Sequence, residues 1–155
     1  MVSLFGIPRN NMLTEPIVAY RVWRLPFSME IIALLSCNYL HVWPFQQPID
    51  FRSGQISSEK INTKNCIGIH AWKSMNQAVK YYSILERDDS LKYAIGQVYL
   101  WGKIAEHEDG YRAEYAYPRK IEYIDCHPSY REGIAKNLRN NYGCEVILNS
   151  IWDLC

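Results

Sequence analysis

The chain has 155 residues, 48% of them hydrophobic, 14% aromatic and 21% charged. That balance suits one packed domain burying roughly two-thirds of its unfolded surface, and it excludes a disordered tail. Seventeen Lys and Arg against sixteen Asp and Glu leave a formal charge of +1, so no bulk attraction to nucleic acid is expected and a charged partner must be met by a local patch.

The longest early apolar run, Ile31 to Leu35, is far shorter than the ~20 residues a membrane span needs. Residues 1–8 hold neither a basic n-region nor a sustained apolar h-region, so a soluble, cytoplasmic protein with no membrane partner is expected. Five cysteines, at 37, 66, 126, 144 and 155, follow no framework spacing, which reads as buried reduced thiols with a reactive one at the end.

Residues 1–15 form an N-terminal extension. From Pro16 to Leu25 the sequence alternates as a strand, with Val18, Tyr20, Val22 and Arg24 on one side and Arg21 and Trp23 on the other. Residues 36–64 are rich in Pro, Gln, Ser and Asn without a sustained period; they read as a long irregular segment with one short strand near Tyr39 to Trp43. CIGIHAW, residues 66–72, is a short apolar strand, and Ser74 with Gln77 makes a capping box that opens a helix. Met75, Ala78, Val79, Tyr82 and Leu85 fall on its buried face, and the charged cluster 86–90 ends it.

Residues 94–118, AIGQVYLWGKIAEHEDGYRAEYAYP, are the most informative stretch. They read as a hairpin with Asp109-Gly110 at the centre of a type I′ turn, so that His107 faces Arg112 and Ala105 faces Glu114. Lys120 to Asp125 is a further strand. Pro128-Ser129 with Glu132 caps a second helix, whose core face is Ile134, Ala135, Leu138 and Tyr142 and which Gly143 stops. Cys144 to Leu148 is a closing strand. The whole, residues 1–155, is expected to be a single α+β domain, mostly antiparallel sheet with two capping-box helices packed on it.

Alternation sorts the hairpin into two faces. One carries Lys103, Ala105, His107, Arg112, Glu114 and Ala116 and becomes aromatic toward Trp101 and Tyr99; the other carries Ile104, Glu106, Glu108, Tyr111, Ala113, Tyr115 and Tyr117 and is largely core. Arginine offers a planar fork to carboxylate or phosphate, and Trp or Tyr a stacking platform. The first face therefore suits a small anionic or nucleotide-like ligand held by Lys103, His107, Arg112 and Glu114, with Trp101, Tyr99, Trp23 and His70 lining the site. The plain structural alternative is an Arg112–Glu114 ion pair that fixes a strand.

A second class of function is a hydrolase or group-transfer enzyme, with His107 as acid/base oriented by Glu114 and Arg112 holding substrate charge. A third is a module that binds protein partners, of phage or plasmid origin, through its many Trp and Tyr residues.

Cys37-x3-His41 and Cys66-x3-His70 repeat a spacing that chelates metal on a helix. On a strand, positions i and i+4 stand about 13 Å apart, too far to share one zinc ion, so no metal site is expected, and no cofactor; one residue from each pair, or Cys126, is the alternative way these residues could contribute to one. Cys126-His127 adjoins a helix N-terminus, which can lower a thiol pKa and hold an anion; a buried Cys beside a turn His is the plainer reading. Patterns of the GxxxxGK, GxGxxG, HExxH, GxSxG and DxDxDG types are missing from the chain.

The segments AYRVWRL, CIGIHAW and GQVYLWGKIAEHEDGYRAEYAYP together resemble an uncharacterised domain widespread in bacteria and mobile elements. The resemblance spans roughly residues 17–124. It implies that the hairpin is the domain's signature and brings no activity with it. Relatives carry extra Cys and His residues before a Cys-x-Cys-Gly-Ile-Tyr-Ala strand, whereas this chain has Asn65-Cys66-Ile67-Gly68-Ile69-His70-Ala71, a departure that puts any metal site shared with them in doubt.

Overall fold

Strand-forming residues dominate the middle of the chain, and the two longest elements are the arms of the expected hairpin, β5 (Lys92–Glu106) and β6 (Gly110–Asp125). They belong to a computed structural model that describes residues 15–26, 32–37, 42–50, 68–85 and 92–149. The strand expected at Lys120 to Asp125 is not separate; it is the second half of β6. Pro118 pairs with Val98 beside a register shift, the kind of irregular position at which proline is tolerated within a sheet.

Before the hairpin come β1 (Ile17–Leu25), β2 (Leu35–Ser36), β3 (Ile49–Asp50) and β4 (Ile69–Trp72). β1 runs antiparallel to β5 from Ile17↔Leu100 to Leu25↔Lys92. Along its other edge it takes β4 at Tyr20↔Trp72 and β2 at Trp23↔Ser36. β6 carries β4 and β3 in turn along the edge away from β5. On the same edge it takes β7 (Glu145–Asn149), which runs parallel to it. The pairings β1–β5–β6–β4–β1 therefore close on themselves. Bulges in the β5–β6 ladder supply the curl that such closure needs.

The irregular segment differs in detail from expectation. Of the short strand expected near Tyr39 to Trp43, residues 39–41 lie outside the described residues; Val42 makes an isolated bridge to Leu35, and Ile49 and Asp50 pair with β6. The charged cluster at 86–90, and the residues His41, Cys66 and Cys155, lie outside the described residues.

Both helices cover a sheet face. α1 (Met75–Ile84) starts as the sequence predicts: Ser74 Oγ accepts from the Gln77 N–H at 3.3 Å, and Gln77 Oε1 accepts from the Ser74 N–H at 3.0 Å. Ala78 and Tyr82 are buried, and Met75, Val79 and Leu85 pack with them against Val22, Tyr93 and Ile95. A Ser74→Ala variant should lose about 1 kcal/mol, read as a lower denaturation midpoint at unchanged slope.

α2 (Pro128–Tyr142) is capped by His127, not Ser129. The ring Nδ1 of His127 accepts from the Ser129 N–H, with Pro128 at the first helical position and Gly143 in the left-handed region at the end. Its apolar stripe is the expected one: Ile134, Ala135, Leu138 and Tyr142 are buried with Ile121, Ile124 and Val146. The Tyr142 hydroxyl accepts from the Leu34 N–H at 2.8 Å and donates to the Trp43 carbonyl at 2.9 Å, tying Leu34 and Trp43 to this helix. Among the described residues no helix is long and apolar enough to cross a membrane. The fold is α+β, with a mostly antiparallel sheet.

Candidate functional site

The hairpin turn sits one residue earlier than Asp109-Gly110. Glu108 and Asp109 are its central pair, the His107 N–H donates to the Gly110 carbonyl at 2.9 Å, and Gly110 opens β6. Its φ is not positive, unlike those of Gly68, Gly102 and Gly143. Glycine is needed at 110 for another reason: β4 passes so close that a Cβ there would run into the Ala71 carbonyl.

The earlier turn slides the pairing by two residues, so Ala105 faces Arg112 rather than Glu114. A slip of two leaves every side chain on its own face. Ala105, His107, Arg112 and Glu114 therefore do share a face, as the sequence predicts.

Three residues further along, the sorting fails. Ile104 pairs with Ala113 but Trp101 pairs with Tyr115, so β5 holds one extra residue, at Gly102-Lys103, where Gly102 takes φ 78°. An odd insertion reverses the faces beyond it. Trp101 thus lies with Tyr115, stacked at 5.7 Å and 15°, and Tyr99 lies opposite Tyr117 with the Arg119 guanidinium 5.8 Å over its ring. Neither aromatic joins His107 and Arg112. Ala116 is also not on the site; it is fully buried between Leu100 and Ile49.

Glu114 is buried, and its Oε1 accepts from the Lys103 N–H at 3.2 Å, satisfying a donor that the bulge takes out of the ladder. Lys103 is exposed at the bulge. Trp23, expected to line the site, is 0% exposed and packs edge-on against Trp43 at 5.5 Å in the core, on the opposite side of β1 from Tyr20 and Val22.

What does come together is set by β4. His70 pairs with Arg112, and its ring lies nearly parallel to that of His107, 5.2 Å centroid to centroid and 17° apart. Trp72, two residues on and so on the same face, meets His70 edge-on at 4.4 Å and leans on Tyr81 at 5.7 Å. Arg112 Nη1 donates to the Gly68 carbonyl at 3.3 Å.

From β1, the guanidinium of Arg21 donates to the His70 carbonyl and, at 3.1 Å, to Ser36 Oγ, while lying 4.9 Å over the Trp43 ring. The turn itself is clamped: the Lys73 N–H donates to the Asp109 carbonyl at 2.9 Å, Gln77 Nε2 to Asp109 Oδ1 at 3.0 Å, and Lys73 Nζ pairs with Glu106 at 2.6 Å. Trp72, Lys73 and Arg21 are members of this neighbourhood that sequence patterning did not select. An arginine on the Trp23 side of an apolar strand was the available signal for Arg21.

Burial and nearby cations act together on the two imidazoles. Burial, then Arg112, Arg21 and His107, push the His70 imidazole down to about 3. Burial and then Arg112 also lower His107, with Asp109 opposing and Lys73 adding to the effect. Arg21 is lowered to about 10, chiefly by burial, and stays charged at neutrality. Both imidazoles are therefore neutral at pH 7, each with one N–H to donate and one lone pair to accept.

The thiols are different. Burial raises Cys37, whose Sγ donates to the Val22 carbonyl at 3.3 Å, and burial raises Cys144 to about 11. Cys126 is raised as well, again by burial first, so the helix start beside it does not make it a thiolate. Among the described residues no group of three or more His, Cys, Asp or Glu is placed to hold a metal ion.

No protein family, curated protein or solved structure matches the chain.

Proposed function

We propose that the domain acts inside the cell as a recognition module, binding a small anionic or nucleotide-like ligand, or a partner that presents one, on the tip face of the β5–β6 hairpin. Arg112 and His107 make the polar contacts there, and His70 and Trp72 form the floor. The observation that carries this reading is the stacked pair of neutral imidazoles beside Arg112. Two rings whose protonation is suppressed first by burial and then by neighbouring cations are poised to gain from an anion, which lowers the local potential and accepts their N–H groups.

The enzymatic alternative, with His107 oriented by Glu114, draws less support, because the Glu114 carboxylate is engaged by the backbone N–H of the bulge.

Thermal unfolding in the presence of a panel of nucleotides and small oxyanions tests the proposal. A ligand at a hundredfold excess over its Kd adds about 2.7 kcal/mol, several degrees in Tm for a domain of this size. Arg112→Ala should stay folded and lose that rise, and His107→Gln should reduce it. A ligand whose shift survives Arg112→Ala would place its binding elsewhere. An Arg112→Ala protein that unfolds, together with a His107→Gln protein that responds as the wild type, would favour a structural role for this arginine.

A further inference from the structure

We infer that His70 is the acid sensor of a latch. While neutral, its ring stacks under His107 and holds the β5–β6 turn against β4; once protonated, it releases the turn while the rest of the domain stays folded. The latch concerns the seam between β4 and the turn and holds whether or not that face binds an anion.

β4 is the shortest strand of the closed circuit, 4 residues against 9 in β1, 15 in β5 and 16 in β6. Its last two residues meet the tip as Ala71↔Tyr111 and Trp72↔Gly110, and the fit leaves Gly110 no room for a Cβ beside the Ala71 carbonyl. Beyond β4 the turn is held by the Lys73 N–H on the Asp109 carbonyl, by Gln77 on Asp109 Oδ1, and by the exposed Lys73–Glu106 pair, a kind of contact worth little in water. The ring stack bridges this same seam, one imidazole from each side.

A neutral imidazole can lie face to face with another, but an imidazolium needs an acceptor or water at both of its N–H groups. His70 has the His107 ring over one face and Trp72 edge-on at 4.4 Å. The charged and titratable groups around the two rings come from every neighbouring element: Arg21 from β1, Lys73 from the β4–α1 junction, Arg112 from β6, Asp109 from the turn, and Tyr81 of α1 beyond Trp72. Asp109 favours a charged His107; Glu114, next after Arg112 on that face of β6, accepts from the Lys103 N–H.

Burial is the largest influence on both rings, and His70 is the more strongly held, down to about 3. Its protonation is therefore resisted chiefly because the closed seam keeps water away, and parting the seam lifts that resistance. In the open form His70 titrates near 6.5, so each pH unit below that value favours opening about tenfold.

Native-state hydrogen exchange of the full-length chain, followed by NMR, tests the latch. The Lys73 amide reports the seam, and the buried Leu34 amide, bonded to the Tyr142 hydroxyl, reports the core. After correction for the pH dependence of the exchange chemistry itself, Lys73 should be less protected than Leu34 at pH ~7.5 and lose about another tenfold by pH ~5.5, a window above the usual carboxylate range. Low urea should leave the Lys73 value unchanged, because local opening exposes little surface, and should lower the Leu34 value. His70→Gln should flatten most of the pH response, and His107→Gln should keep most of it.

Lys73 protection that stays constant across this window would refute the latch. Equal protection and equal urea dependence at Lys73 and Leu34 would refute it too, since the seam would then open only with the whole fold. A His70→Gln protein with the wild-type pH response would take the sensor's role away from His70. The wild-type comparison decides the matter even if a variant does not fold.

Discussion

Gly110→Ala should cost about 2–3 kcal/mol, the upper range for forcing an extra methyl into a packed position. The added Cβ would meet the Ala71 carbonyl oxygen and carbon, with His107 Cε1 at 3.2 Å as its next neighbour. Backbone atoms of a paired strand cannot rotate aside, so β4 must move away from β6 or the turn must lift. Either motion breaks the Lys73 N–H to Asp109 bond and separates His70 from His107.

The variant should therefore show a lower denaturation midpoint and faster hydrogen exchange at the Lys73 amide. Gly133→Ala is the matched control, since a Cβ there meets nothing within 4 Å in α2, and it should be neutral or stabilising by up to about 1 kcal/mol. A Gly110→Ala protein as stable as the wild type would mean that β4 does not sit against the tip.

Acidification should destabilise the protein through His70 before its carboxylates titrate fully. The ring titrates near 6.5 when unfolded and is held down to about 3 when folded. Above pH 6.5 it is neutral in both states and contributes no slope. Below 6.5 the unfolded chain binds a proton that the folded chain refuses, so stability falls steadily until pH approaches 3.

The full slope is about 1.4 kcal/mol per pH unit. Because the ring is partly exposed and therefore screened, roughly 2 kcal/mol is expected to be lost between about pH 6.5 and about pH 4.5. His107, lowered less, adds to the loss in the upper part of that window. Glutamine does not titrate, so His70→Gln should lose less stability over the same range even if it begins lower. Parallel pH profiles for wild type and His70→Gln, measured by urea denaturation, would show that protonation of this ring is not resisted by the fold.

Both expectations depend on contacts that the chain's own patterning only partly discloses. The capping box at Ser74 and Gln77 and the α2 stripe of Ile134, Ala135, Leu138 and Tyr142 were legible because each is decided within one or two helical turns. The shared face of His107 and Arg112 was legible for a related reason. The turn fell one residue early, and the resulting slip of two preserves the alternation that sorted the side chains. By contrast, Trp101 and Tyr99 were assigned to the same face by unbroken alternation, and the single extra residue at Gly102-Lys103 moved them across the sheet.

Trp23 and Arg21 lie on one strand face and both meet Trp43, yet only Arg21 reaches the site. Trp23 has the size and ring to line a ligand site, yet Trp43 and the buried residues under α2 enclose it completely. Arg21 reads as an isolated charge on an apolar strand, yet it holds the carbonyl of His70.

By itself, then, the sequence determined the α+β class, the two helices and their buried faces, and the grouping of Ala105, His107, Arg112 and Glu114, all properties of neighbouring residues along one strand, helix or turn. Only the tertiary structure decided where the ladder is bulged, that β4 closes the strand circuit against the tip, and hence that His70 lies under His107. Those outcomes depend on pairing between segments far apart in the chain, where one residue of register changes which side chains meet.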